Sequence, residues 1–396
     1  MYFAILGRHP KLSLAEFALV PTTTLRRQAQ IVLFETELDE SSLLILLAKL
    51  GGIVKWGKVV EEKSSEVERK GEEIEVSEGS EGVKQFLTGV TLVGVNDQKL
   101  GMEIKKLYGI KRFKIVEQIS TDLEVKKEGK ELMDLGSGKI GLILGWQDIA
   151  HFEQIDFGKP ASGMEVGMMP SKLAQILVNI GVQTLESRFQ TSDSKIKTQN
   201  SGVNEQKTIY DPFCGFGTTG FVANRVGHHF VGSDLVITGA KENAKRRKDR
   251  HVEFTSNQSR LAMTSNAIDA LSNELHFTVF KHDVTEPFDH PVVKKIDVIV
   301  TEGWLGPVIS RKTRESELLV HAEKIKALYF TFLNNISAVI LQVPMVLTIP
   351  HYSRLPDAIL PEIVTHAVTL GYHIEDLGVY SRKGQEVCRQ VVVLSQ

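Results

Sequence analysis

The segment Asp211-Pro-Phe-Cys-Gly-Phe-Gly-Thr218 constrains this chain more than any other. A strand candidate, Thr208–Pro212, runs into it, and helical spacing resumes near Thr218. Strand, glycine turn and helix in that order bring free N–H groups of the helix start beside the turn. A nucleotide-like ligand can then approach the main chain closely. Twenty-three residues beyond Asp211, Asp234 closes the next strand candidate, His229–Asp234. An acidic side chain at that point can accept both hydroxyls of a ribose. Asp211, Phe213, Gly215, Gly217, Thr218 and Asp234 are therefore candidate cofactor-binding residues. Asp283 follows a third strand candidate, His276–His282, and is placed to receive an exocyclic amine or to cap the turn at Thr285.

The rest of the second half keeps the same rhythm. Further strands are expected at Asp297–Thr301, Ala338–Leu347, Tyr372–Tyr380 and Gln390–Leu394, the last two as antiparallel edge strands. Helical stretches separate the earlier ones. Seven strands in this order suit an α/β class, doubly wound, Rossmann-like sheet. The N-terminal region, residues 1–150, reads as α+β. Strands are expected at Tyr2–Leu6, Gln30–Phe34, Trp56–Val60, Thr91–Val95 and Ile140–Trp146. Helices are expected from a Ser13 cap with Glu16 in a capping box, over Leu43–Leu50 after Ser41 or Ser42, and over Leu100–Tyr108. Glu61–Gly82, with nine glutamates, reads as a solvated loop. Gln147–Met169 reads as a connector, and Lys172–Ile180 as a helix closed by Gly181. Residues 151–396 would then form the second domain.

Composition closes off other classes. With 396 residues, 42% hydrophobic and 24% charged, the chain has enough apolar surface for two or three domains. A net charge of −2 leaves nucleic-acid contact to local patches. Two cysteines, Cys214 and Cys388, make neither a disulfide scaffold nor a four-cysteine zinc site, and no metal is expected. Met1–Gly7 lacks a signal-peptide pattern, and the longest apolar run, Ile336–Ile349, is too short to span a bilayer and reads as a buried strand. A cytoplasmic protein with no membrane partner is the expectation.

Taken with its helix and Asp234, the Asp211–Thr218 loop resembles the cofactor loop of class I S-adenosylmethionine-dependent methyltransferases. Gly215-Phe-Gly217-Thr-Thr-Gly220 also has dinucleotide spacing, but Asp211-Pro212 and the Thr218-Thr219 pair look like the methyltransferase loop. Three further segments resemble the THUMP-containing tRNA guanine-N2-methyltransferases: Leu6–Glu16, Gly167–Gln175 and Tyr380–Arg389. The resemblance implies a seven-stranded methyltransferase sheet, S-adenosyl-L-methionine as cofactor, tRNA or other structured RNA as partner, and a THUMP-like RNA-binding part at about 54–146.

At the fourth strand the chain departs from that family's Thr-Asp-Pro-Pro-Tyr-Gly and reads Thr301-Glu-Gly-Trp-Leu-Gly306. An exocyclic amine is a poor nucleophile until its N–H groups are accepted and its base is held. Glu302 could accept from the amine, Gly303 offers a carbonyl, and Trp304 could stack on the base. These three are the candidate catalytic residues. The activity implied is methylation of a guanine exocyclic amine (N2) in tRNA. A DNA amino-methyltransferase and a catalytically inactive RNA-binding scaffold of the same fold remain as alternatives, and a small accessory protein is left open. Basic clusters at Lys105–Lys114, Lys241–Arg250 and Arg311–Arg314 are candidate phosphate contacts, with a solvated helix face as the plain alternative.

Overall fold

The sequence around the glycine turn explains the second half of the molecule. Thr-Ile-Tyr before Asp211 and Val-Ile-Val before Thr301 are runs of β-branched and aromatic residues without charged positions, as strands covered on both faces require. In the computed structural model they lie side by side at the centre of a sheet. The structure describes residues 1–61, 78–158, 168–191, 205–242, 276–288, 290–339 and 342–396. The chain divides into two units, Met1–Asp148 and Ile149–Gln396.

The first unit is an eight-stranded sheet. Its strands are β1 (Tyr2–Leu6), β2 (Thr24–Gln28), β3 (Ile31–Glu35), β4 (Ile53–Glu61), β5 (Leu92–Val95), β6 (Arg112–Ile115), β7 (Lys130–Gly136) and β8 (Lys139–Trp146). Their order is β2-β3-β1-β4-β8-β7-β5-β6, antiparallel through β7 and parallel from β7 to β6. Helices α1 (Pro10–Phe17), α2 (Glu40–Ala48), α3 (Glu78–Leu87), α4 (Gln98–Tyr108) and α5 (Leu123–Glu128) pack on it. Helix α1 starts at Pro10 with His9 as its N-cap, so Ser13 lies inside the helix and bonds back to the His9 carbonyl. The expected capping box is therefore absent. Glu16 instead reaches Gly51 N and Gly52 N, at 2.7 and 2.6 Å, and pins the turn before β4. Helix α2 is capped by Asp39, which accepts from Ser42 N, rather than by Ser41 or Ser42. The Glu61–Gly82 loop falls mostly on residues outside the described set.

The second unit opens with α6 (Ile149–Phe157), where a connector was expected. Helix α7 (Ser171–Thr191) starts after Pro170 as its sequence indicates, but continues ten residues past Gly181. A Cβ at Gly181 would sit 2.5 Å from Val298 Cγ1, so this glycine serves close helix–sheet packing, not termination. The remaining elements are β9 (Thr208–Asp211), α8 (Thr218–Val226), β10 (His229–Asp234), β11 (Phe277–Lys281), β12 (Val298–Glu302), α9 (Glu315–Ser337), β13 (Met345–Tyr352), α10 (Leu360–Thr369), β14 (His373–Tyr380) and β15 (Val387–Ser395). The Ile336–Ile349 run is two structures: it ends α9, and after Pro344 it begins β13.

The sheet order is β11-β10-β9-β12-β13-β15-β14. Strands β11 to β13 are parallel. Strand β15 runs antiparallel between β13 and β14, so only β14 of the final pair is an edge strand. The chain leaves β9 toward β10 and returns on its other side at β12. That reversal opens a crevice at the carboxyl ends of the strands. Ile299, Leu347, Val392 and Leu394 from the sheet and Tyr329, Phe332 and Ile336 from α9 are buried in one core beneath it.

Candidate functional site

The glycine turn lies at the mouth of this crevice. Gly215 and Gly217 have φ of +49° and +79°, a region in which side chains are strained. Gly217 is also the N-cap of α8, so the first residue of the helix is Thr218. The turn is fastened twice to the end of β10. Cys214 N donates to Ser233 O at 2.9 Å, and Gly215 N donates to Asp234 Oδ2 at 2.9 Å. Asp234 Oδ1 accepts from Val236 N at 3.2 Å, and the side chain stays partly exposed at the end of β10. Leu235 and Val236, immediately after it, are exposed apolar residues.

Asp211 is placed differently. Its carboxyl is buried, and both oxygens are engaged by the chain itself. Oδ1 accepts from Phe213 N and from the Thr301 hydroxyl, and Oδ2 accepts from Thr219 Oγ1 at 2.6 Å. Burial, with the Asp234 charge adding to it, pushes its pKa up to about 7 against the hydrogen bonds that favour the carboxylate. Asp211 thus ties the turn, the start of α8 and β12 together. Val298 and Ile299 of β12 pair with Ile209 and Tyr210 of β9, and the Asp211–Thr301 bond bridges the two strands nearer the crevice. Phe213 packs in the same place, with its ring 6.5 Å from Tyr329 and 5.5 Å from Phe332. Cys214 is buried, and burial raises its thiol pKa, so it packs as a small apolar group. Asp283 caps the turn that follows it, accepting from Thr285 N and Oγ1 at 2.9 and 2.7 Å. Those bonds hold its carboxyl below the usual range.

Glu302, Gly303 and Trp304 stand at the carboxyl end of β12, one strand away from the turn. The Glu302 carboxylate is buried and pairs with the Arg389 guanidinium of β15. Nε of Arg389 reaches Oε1, while Nη2 reaches Oε2 at 3.3 Å and Met168 O at 3.4 Å. Burial raises the Glu302 pKa, and the arginine charge opposes that rise. Gly303 is a steric requirement: a Cβ there would fall 2.3 Å from the Tyr329 hydroxyl, which donates to Thr348 O at 2.8 Å. Trp304 is 42% exposed and turns outward.

The structure therefore gathers Asp211, Phe213, Gly215, Gly217, Thr218 and Asp234 around one turn. Glu302 and Gly303 are committed to packing and pairing beside it. Sequence reading missed Arg389, Thr219 and Thr301 as partners. Arg389 left a trace, since it interrupts the otherwise apolar run of Val387–Leu394 together with Gln390. Among the described residues, no group of three or more His, Cys, Asp or Glu side chains is arranged to hold a metal. Also among them, no helix is long and apolar enough to cross a membrane. Of the basic clusters, residues 243–250 lie outside the described set.

Comparison with protein families and with curated proteins finds no match. Solved structures do match. One is a SAM-dependent methyltransferase from Methanosarcina mazei, at 9% identity and a TM-score of 0.33, covering 49% of this chain and 93% of that one. Another is the magnesium protoporphyrin IX methyltransferase of Synechocystis PCC 6803 with bound SAM, at 13% identity and a TM-score of 0.31, covering 63% and 96%. A third is the methyltransferase domain of bacterial CtHen1, at 12% identity and a TM-score of 0.31, covering 54% and 97%.

Proposed function

We propose that this chain transfers a methyl group from S-adenosylmethionine to a base nitrogen of a nucleic acid, the exocyclic amine of guanine in tRNA being the target. The observation that carries the reading is the glycine turn at the β9–β12 reversal, on a sheet whose antiparallel β15 is inserted between β13 and β14. A dinucleotide-binding sheet in the order 3-2-1-4-5-6 has no such inserted strand. The resemblance of Asp211–Thr218 to the methyltransferase loop then favours the sulfonium cofactor.

The cofactor supplies an electrophilic methyl group. A nitrogen–carbon bond forms as the sulfur–carbon bond breaks, and the amine loses one proton to water. The chain's part is to bind and orient. The turn around Gly215 and Gly217 gives main-chain approach, and Asp234 sits where ribose hydroxyls would be accepted. Leu235 and Val236 offer an apolar face for a purine. With both Glu302 oxygens on Arg389, acceptance of the amine N–H falls to backbone carbonyls at Glu302 and Gly303. Trp304, already outward, is free in chemistry to stack on an extruded base. The Glu302–Arg389 pair also favours a second reading, an RNA-binding scaffold that has lost the chemistry.

The test is transfer of labelled methyl from S-adenosylmethionine to unmodified tRNA transcripts, with nucleosides resolved after digestion. N2-methylguanosine is the expected product. Methyladenine formed only in DNA would replace the polymer and the base. Cofactor binding by calorimetry without transfer to either polymer would favour the scaffold, and no cofactor binding would end the reading.

A further inference from the structure

Loop 305–314 leaves β12 beside the site, and the β14–β15 turn, residues 381–386, lies just beyond the carboxyl ends of β13 and β14. Pro350, Arg389 and Tyr380 are register partners across those strands, so the turn shares its rim of the sheet with Glu302 and Trp304. One arginine locks the two segments together. Arg354 donates to Ser310 O at 3.2 Å and Thr313 O at 2.8 Å, and its Nε lies 3.2 Å from Glu386 Oε2. Arg311 Nε lies 3.4 Å from the other oxygen, Glu386 Oε1. A Cβ at Gly384 would be 3.3 Å from Arg311 Nη2, so the tip of the turn touches the loop directly.

Exposed Arg311 and Lys312 stand on the loop, and exposed Arg382 and Lys383 on the turn fastened to it, some seventy residues further along the chain. Arg314, 79% exposed, continues the row and is paired with Glu317. Glu386 is shared between two arginines, so it fastens the row without neutralising it. Holding like charges in a fixed row costs repulsion, which a polyanion with regularly spaced charges removes.

We propose that Arg311, Lys312, Arg382 and Lys383 form a ledge that grips the phosphodiester backbone of the nucleic-acid strand whose base enters the site. The inference rests on the nucleic-acid reading above and adds where that strand runs. Phosphate contacts of this kind position the substrate and carry no sequence information.

The test measures binding of the full chain to a labelled, unmodified tRNA transcript and to a single-stranded DNA of the same sequence, by anisotropy over a range of salt. For the double variant Arg382→Gln/Lys383→Gln, the magnitude of the slope of log affinity against log salt should fall by roughly 1.4, two contacts at about 0.7 each for a single strand. Affinity near physiological salt should drop at least about fivefold on the same account. Both side chains are exposed, so the thermal midpoint and calorimetric binding of S-adenosylhomocysteine should not change. Arg354→Gln should weaken nucleic-acid binding too, by releasing the loop from the turn. Wild-type slope and affinity in the double variant, with tRNA bound, would overturn the ledge and leave the proposed activity standing. Cofactor binding with no salt-dependent binding of either polymer would overturn both the ledge and the nucleic-acid substrate. Preference for DNA, lost in the double variant, would keep the ledge and change the strand it holds.

Discussion

Among the described residues, each unit buries an ion pair between strands, and the two pairs differ in what surrounds them. In the first unit Lys55 of β4 meets Glu131 of β7 across β8, with both side chains at most 1% exposed. Glu131 also accepts from Trp146 Nε1 at 2.8 Å, and Lys55 donates to Glu117 O at 3.1 Å. The pair is enclosed by its own sheet and fixes how three strands line up. In the second unit Glu302 and Arg389 stand at the rim, one residue from a glycine that admits Tyr329 and two from an exposed tryptophan. There the same chemistry fixes a loop. Burial lowers the Lys55 pKa and raises that of Glu302, in each case against the partner's charge. Both pairs therefore cost desolvation, and their value lies in where they place other groups.

Removing one partner from each pair separates a pair that aligns strands from one that fixes a loop. Glu131→Leu leaves a buried lysine and an unpartnered indole N–H. It should cost about 3–5 kcal/mol in urea unfolding, at the upper end of that range. Glu302→Leu should cost a similar or slightly smaller amount, about 3–4 kcal/mol, because Arg389 keeps Met168 O as a partner. The informative variant is the double change Glu302→Leu/Arg389→Met. It should restore stability to within about 1 kcal/mol and retain methyl transfer if the pair only supports the loop. Loss of transfer in a folded double variant would return Glu302 to a chemical role.

A smaller effect probes the neighbour of the pair. Gly303→Ala should destabilise by about 1–3 kcal/mol through overpacking against Tyr329, and pairing it with Tyr329→Phe should recover part of that. The smallest concerns Asp211. Its pKa is raised on folding to about 7, so its contribution to stability is full below the ordinary carboxylate range and is lost as pH rises through 7. From pH 6 to 8 the wild type should lose about 1 kcal/mol that Asp211→Asn does not, read from urea midpoints. Equal slopes in the two proteins would mean the carboxyl is ionised throughout.

Much of the second unit could be read from its residues, because parallel central strands are written as short apolar runs. His229–Asp234 was bounded correctly, and the helix begins at Thr218 as expected. Elements with no such pattern were lost. All five residues of β2 are exposed, so Thr24–Gln28 has no apolar alternation to betray it. Strands β6 and β7 hide in a lysine- and glutamate-rich stretch. Gly181 reads as a stop because sequence does not reveal that a valine side chain lies against that face of the helix. The site divides in the same way. The turn was legible because its glycines and acids are close together along the chain. Glu302–Arg389 was not, since it depends on β15 lying next to β13 and not at the edge.

That placement of β15 bears on how the sheet is completed. Strand β13 ends at Tyr352, and the partner for its open side begins at Val387. While the chain is being synthesised, the backbone donors and acceptors along that side wait for some forty more residues to emerge. Strand β14 emerges first but pairs only with β15, so its arrival leaves the side of β13 uncovered. Until β15 arrives, β13, buried along nearly its whole length in the finished sheet, presents an unsatisfied edge to any passing strand. The late step in folding is thus also the one that delivers Arg389 to Glu302 and closes the floor of the site.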